Sequence, residues 1–180
     1  MRHRLGSAAL SLAAFLVLSG CGHKHPASSA PKPFGRAPSL DLSGTVAPSA
    51  NDNNVIPFDV AVVRDKKTVA KIESMDAASW FGPKGRCTFR GGPKATVVFH
   101  SWEFVPGQTF RIQVELGKAY KGVIAFAGYD APGNHSVTFT RSGSAVVQLN
   151  DGGLRALTDG SKVDDRLPRA EEKTKVCPDD

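Results

Sequence analysis

The sequence predicts a mainly β domain: a two-sheet antiparallel β-sandwich with a short helical insertion after its first strand. Three observations lead there. Beyond residue 95, apolar residues recur at every second position in short runs, the period of a half-buried strand. Gly, Pro, Asn and Asp clusters separate the runs at the spacing of turns. Only residues 65 to 82 switch to helical spacing. Six or seven strands arise in this way, and many short strands with regular turns make a sandwich.

The chain has 180 residues, enough for one modest domain and too few for a multi-domain enzyme. At 41% hydrophobic it carries too much apolar material to be wholly disordered. The formal charge is +6. Without Arg2 and Arg4 the balance is 21 basic to 17 acidic residues, a net of +4. No long Lys/Arg run is present, so nucleic acid is not an expected partner.

Met1 to Arg4 form a positive start, and Ala8 to Leu18 form a short apolar run. A helical span needs about 20 apolar residues, so residues 1–20 read as an export signal. The segment ends Leu18-Ser19-Gly20-Cys21, which resembles a bacterial lipobox. That resemblance implies a diacylglyceryl group on the Cys21 thiol and acylation (palmitate or a similar chain) of the freed amine. Each buried lipid CH₂ contributes roughly 0.8 kcal/mol, so two or three chains anchor almost irreversibly. In lipoproteins an Asp after the Cys favours inner-membrane retention. Gly22 stands there instead, which points to the outer membrane, facing the periplasm.

Residues 21–54 read as a lipidated N-terminus and flexible linker. Pro26, Pro31, Pro33, Pro38 and Pro48 interrupt regular structure, with Ser, Ala and Asn between them. Phe34 and Leu40 are the residues of this stretch able to pack on the domain. His23 and His25 lack further ligands nearby, so no metal is expected.

The sandwich is expected over 55–158. Val55 to Val63 reads as a strand, with Pro57 marking an edge or start. Asp65 is a candidate N-cap for Lys66 to Glu73, where Val69 and Ile72 share a face. Ser74 to Phe81 forms a second short helix ending at Gly82, with Trp80 and Phe81 docking it. Gly82 to Lys94 is a Gly/Pro-rich loop with four basic residues and no acid. Its glycine spacing does not match a phosphate-binding loop.

In the next run Val98, His100, Trp102 and Phe104 share one face, and Val97, Phe99, Ser101 and Glu103 the other. Pro106-Gly107 turns the chain. Phe110, Ile112, Val114 and Leu116 then alternate with polar residues. Gly122 to Tyr129 is apolar on both faces and so central. Val137 and Phe139, Val146 to Leu149, and Leu154 to Leu157 complete the set. The remainder, 159–180, is a charged tail.

With Cys21 lipidated, Cys87 and Cys177 remain. An oxidising compartment favours their pairing, which would pin the tail to the basic loop; free thiols would leave it loose. No His-Glu-x-x-His or Gly-x-Ser-x-Gly occurs, and His100 and His135 are isolated. The expectation is a non-enzyme with no catalytic residue and no cofactor.

Three stretches together resemble the TssJ-type (SciN) lipoproteins of the type VI secretion system. They are Phe58-Asp59-Val60-Ala61-Val62-Val63 before helices with Trp80-Phe81, Val105-Pro106-Gly107-Gln108 before a strand, and Tyr120-Lys121-Gly122-Val123-Ile124-Ala125-Phe126 after one. The resemblance covers about residues 55–130 and implies a transthyretin-like sandwich. It also implies a role: anchoring a trans-envelope complex by binding the periplasmic part of the inner-membrane protein TssM, partly through a protruding loop between early strands. No family motif assigns the contact residues. Loop position and charge make Lys84, Arg86 and Arg90 the candidates here. The alternative function is a periplasm-facing ligand- or glycan-binding lipoprotein, which needs a concave apolar pocket.

Overall fold

Two four-stranded sheets pack face to face, as the alternation predicts. The computed structural model describes residues 37–89, 95–159, 164–174 and 177. In chain order the strands are β1 (Ser39–Val46), β2 (Ile56–Val63), β3 (Val97–Phe104), β4 (Thr109–Glu115), β5 (Gly122–Ala127), β6 (Ser136–Phe139), β7 (Gly143–Asn150) and β8 (Gly153–Asp159). One sheet has the order β4-β1-β7-β8, the other β3-β2-β5-β6. No described helix is long and apolar enough to cross a membrane.

The principal correction is at the start of the domain. It does not begin at Val55: β1 lies inside the span read as linker. It is a central strand, antiparallel to β4 and parallel to β7. Leu40, Leu42 and Val46 alternate inward and are buried. The flanking prolines hid this strand, although its apolar period is two. Gly44 sits at an inward position because Phe110 fills the space: a Cβ there would lie 2.4 Å from Phe110 Cζ. This glycine is a packing requirement. The helical insertion therefore follows the second strand, and the β1/β7 pair makes its sheet mixed.

The interior between the sheets is apolar. Phe58, Phe104, Phe110, Ile112, Val123 and Leu149 are buried there. Phe104 and Phe110 stack across the β3–β4 connection with centroids 3.8 Å apart. Burying each such side chain contributes roughly 1.5–3 kcal/mol. The connection is closed by Gln108, whose Oε1 accepts from Val105 N at 3.1 Å. Gly107 takes φ +81°, a left-handed conformation natural to glycine.

β5 is central and buried on both faces, as its uniform apolarity predicts. Val123, Ala125 and Ala127 face the sandwich interior. Ile124 and Phe126 face outward, beneath the insertion. The insertion consists of α1 (Lys66–Glu73), α2 (Ala77–Phe81) and a 3₁₀ turn at Arg86–Phe89. Asp65 caps α1, accepting from Thr68 N at 2.8 Å, and Asp76 caps α2, accepting from Ser79 N at 2.7 Å. Side-chain hydrogen bonds from Thr68 and Ser79 hold the two carboxyls below the ordinary carboxylate range.

The described part of the tail is tied down. Arg111 N of β4 donates to Pro168 O, and Ala170 N donates back to Arg111 O, both at 2.9 Å. Lys173 N then donates to Ser101 O of β3 at 2.7 Å. β3 and β4 are edge strands of different sheets, so residues 164–174 form a strap across one open side. Lys173–Glu103 and His100–Glu172 pairs, each at 2.8 Å, line its course. Edge strands present unpaired backbone groups, and the strap satisfies some of them.

Candidate functional site

Cys21, His23, His25, Phe34 and Arg90 lie outside the described residues. Lys84 is exposed. Arg86 is engaged within the fold. Its Nη1 lies 2.7 Å from Asp59 Oδ2, and Asp59 is fully buried on β2. Its guanidinium also stands over the Phe81 ring, 4.9 Å from the centroid. Buried charges are held by partners of opposite sign, so Arg86 faces inward as the partner of Asp59.

Beside this pair, Trp80 Nε1 donates to the same Asp59 oxygen at 2.8 Å. The Trp80 ring stacks on Phe126 with centroids 4.6 Å apart and 6° between planes. Phe89 stacks against it at 5.9 Å. Part of the basic loop that starts at Gly82 is thus the inner wall of the insertion. Cys87 and Cys177 are joined, with Cα atoms 5.7 Å apart, so the strap ends on this same insertion.

The most unusual backbone lies in the β1–β2 loop, which had been read as linker. Asn51, Asp52 and Asn53 take φ values of 50°, 51° and 64°. Three successive left-handed residues without glycine are rare, and Asn and Asp are the types that tolerate the conformation. The loop is braced from two neighbouring turns. Asn51 Oδ1 accepts from Asp130 N at 2.7 Å. Asn54 Nδ2 donates to Asp130 Oδ2 at 3.0 Å, and Ser49 Oγ to Asp151 Oδ1 at 2.8 Å. Strained backbone persists where the surroundings over-determine it, and such places cluster at functional sites. The Asn-Asp-Asn-Asn run was the sequence signal that linker prolines obscured.

Exposed apolar residues adjoin this loop. Val55 precedes β2 and Val105 follows β3, and the adjacent Ile56 and Phe104 are paired in register. Val55 is 47% exposed and Val105 50%. Together they flank one end of the sandwich with Asp52, Asn53 and Asn54 presented to solvent. The arrangement suits contact with another polypeptide.

His135 is buried against Tyr129, ring centroids 4.6 Å apart, with Nε2 at 3.0 Å from Ala131 O. Among the described residues no three His, Cys, Asp or Glu side chains gather as metal ligands would. A shallow cleft of about 320 Å³ opens at the opposite end of the sandwich, where Arg141, Ser142 and Ser144 adjoin buried Leu40, Phe139 and Ala145.

No protein-family model matches the chain, and no curated protein matches it by sequence. Solved structures do match by shape. The type VI secretion lipoprotein TssJ1 from Pseudomonas aeruginosa superposes with a TM-score of 0.56 at 12% identity, over 70% of this chain and 99% of that one. Serratia marcescens Lip, a membrane-bound component of the type VI secretion system, gives 0.53 at 12% identity, over 67% and 98%. A structure of the TssM C-terminal domain (869–1107) from EAEC gives 0.51 at 13%, over 68% and 99%. Two four-stranded sheets with a helical insertion over one of them, matched along nearly the whole of TssJ1 and Lip, give this chain the TssJ-type fold.

Proposed function

We propose that this protein is a non-enzymatic outer-membrane lipoprotein of a type VI secretion complex. Acylated at Cys21, it holds the periplasmic part of a TssM-like inner-membrane protein. The observation that carries the reading is the match to nearly the whole of TssJ1 in a chain whose N-terminus ends in a lipobox. The contact surface we infer is the braced β1–β2 loop with Val55 and Val105. It is the early-strand loop of this fold, it is braced by hydrogen bonds to two neighbouring turns, and preorganisation lowers the cost of association. Lys84 lies on the insertion and can add to the contact; Arg86 holds Asp59 through Nη1 and is mostly covered.

The test is capture from detergent-solubilised envelopes with the full lipidated chain. A TssM-like component is expected in the eluate. Asp52→Lys with Val55→Asp should weaken its recovery by roughly tenfold or more, as a contact centre does when charged. Recovery of no inner-membrane secretion component, under conditions that preserve the complex, sinks the proposal.

A further inference from the structure

The sandwich is charged differently at its two ends. One end gathers the turns β2–α1, β4–β5 and β6–β7, with the first residues of β1. There the exposed cations are Arg64, Lys66, Lys67, Lys118, Lys121 and Arg141. Backbone bonds hold these segments together: Lys121 N donates to Val63 O at 2.7 Å, and Ser142 N donates to Tyr120 Oη at 3.1 Å. None of the six cations has an ion-pair partner among the described residues. Among the described residues the acids at this end include Asp41, Asp65 and Glu115. Asp65 is turned onto α1, and Asp41 accepts from Gln113 at 2.7 Å. Among the described residues the opposite end, with the β1–β2 loop, exposes Asp52, Asp130 and Asp151, with Arg155 nearby and Lys173 neutralised by Glu103 beside the end of β3.

The chain joins the domain at the basic end. Leu116 N, just past β4, donates to Pro38 O at 2.9 Å, and β1 starts there beside Glu115. Cys21 lies 17 residues before Pro38. At about 3.3–3.6 Å per residue, that connection limits the domain to within roughly 60 Å of the lipid. We propose that the basic end rests against an anionic lipid surface, which turns the β1–β2 loop away from the bilayer. The proposal deepens the lipoprotein reading and rests on it for the lipid at Cys21. Lys and Arg near an anionic leaflet are attracted within a Debye length, and six of them on one end favour one orientation. The acidic end is repelled by the same surface, so both ends act in the same direction.

Amine footprinting tests this with the full lipidated chain. The chain is placed on phosphatidylcholine vesicles, and on the same vesicles with a minority of phosphatidylglycerol. Acetylation of Lys66, Lys67, Lys118 and Lys121 should fall at least about threefold on the anionic vesicles, and recover near 1 M NaCl. Lys173, on the strap, should be unchanged. Equal labelling of the four lysines on both vesicles overturns the proposal. So does protection by polyglutamate in solution with none by phosphatidylglycerol, which would assign this end to an acidic protein. Flotation with phosphatidylcholine vesicles at high salt, wild type against Cys21→Ser, reads the anchor separately. Its failure removes the lipid, while the footprint at low salt still decides the basic end.

Discussion

Asp59 and Arg86 meet through a 2.7 Å contact between a carboxylate on the central strand β2 and a guanidinium of the insertion. The same oxygen accepts from Trp80 Nε1, so one buried atom gathers two segments that the sequence separates by 21 and 27 residues. Asp59 thereby fixes where the insertion sits on its sheet.

Arg86→Ala should therefore destabilise strongly, by roughly 3 kcal/mol, because it leaves a buried carboxylate without its cation. Adding Asp59→Asn should recover part of that loss, since the neutral amide removes the uncompensated charge and still accepts from Trp80. Urea unfolding of the two variants measures both effects. An unmoved midpoint for Arg86→Ala would show the pair to be dispensable.

Reduction of the Cys87–Cys177 bond should release the strap while the sheets stay folded. The bond closes a 90-residue separation, and the chain-entropy model assigns such a bridge roughly 3–5 kcal/mol. Amide exchange over 164–174 should accelerate in reductant, with β2 and β5 unchanged. Equal protection of that segment with and without reductant would mean that the hydrogen bonds to Arg111 and Ser101 suffice alone.

A chain that starts at Val55 should fail to fold. It lacks β1, which hydrogen-bonds β4 on one side and β7 on the other. A gentler probe is Gly44→Ala, whose new methyl would press on Phe110 and on Val147 Cγ2. Overpacking of this kind costs roughly 1–3 kcal/mol. Thermal unfolding of this variant at wild-type temperature would contradict the packing described.

Burial, helped by Asp151, pushes the Tyr129 phenol up to about 12 from its ordinary 10.0. The unfolded chain ionises first, so this contribution to stability is intact below pH 10 and declines as pH rises from 10 toward 12. Tyr129→Phe should flatten that decline. It should cost little at neutral pH, because the buried hydroxyl has no hydrogen-bond partner among the described residues. Denaturation midpoints across that range decide it; an identical alkaline slope in both proteins would exclude Tyr129.

Much of the architecture was legible from local pattern. Phe110, Ile112, Val114 and Leu116 alternate in sequence and are buried in the structure, and the uniformly apolar β5 is central. Asp65 caps α1 as its position predicts, while α2 starts at Ala77, capped by Asp76, rather than at Ser74. These features depend on neighbours within a few residues, and local periodicity reports them.

What only the tertiary structure decided involves residues far apart in the chain. The value of Leu40 and Leu42 as core depends on β4 and β7, more than 60 residues away, so prolines outweighed them in a local reading. The charge of Arg86 reads as a free surface cation until Asp59 is seen beneath it. The Asn51–Asn53 backbone is held by turns at Asp130 and Asp151, and the segregation of cations to one end follows from the order in which strands pair. Composition and periodicity determined that this chain makes a sandwich; long-range pairing determined which charges are buried, which loop is braced and which end carries the positive surface.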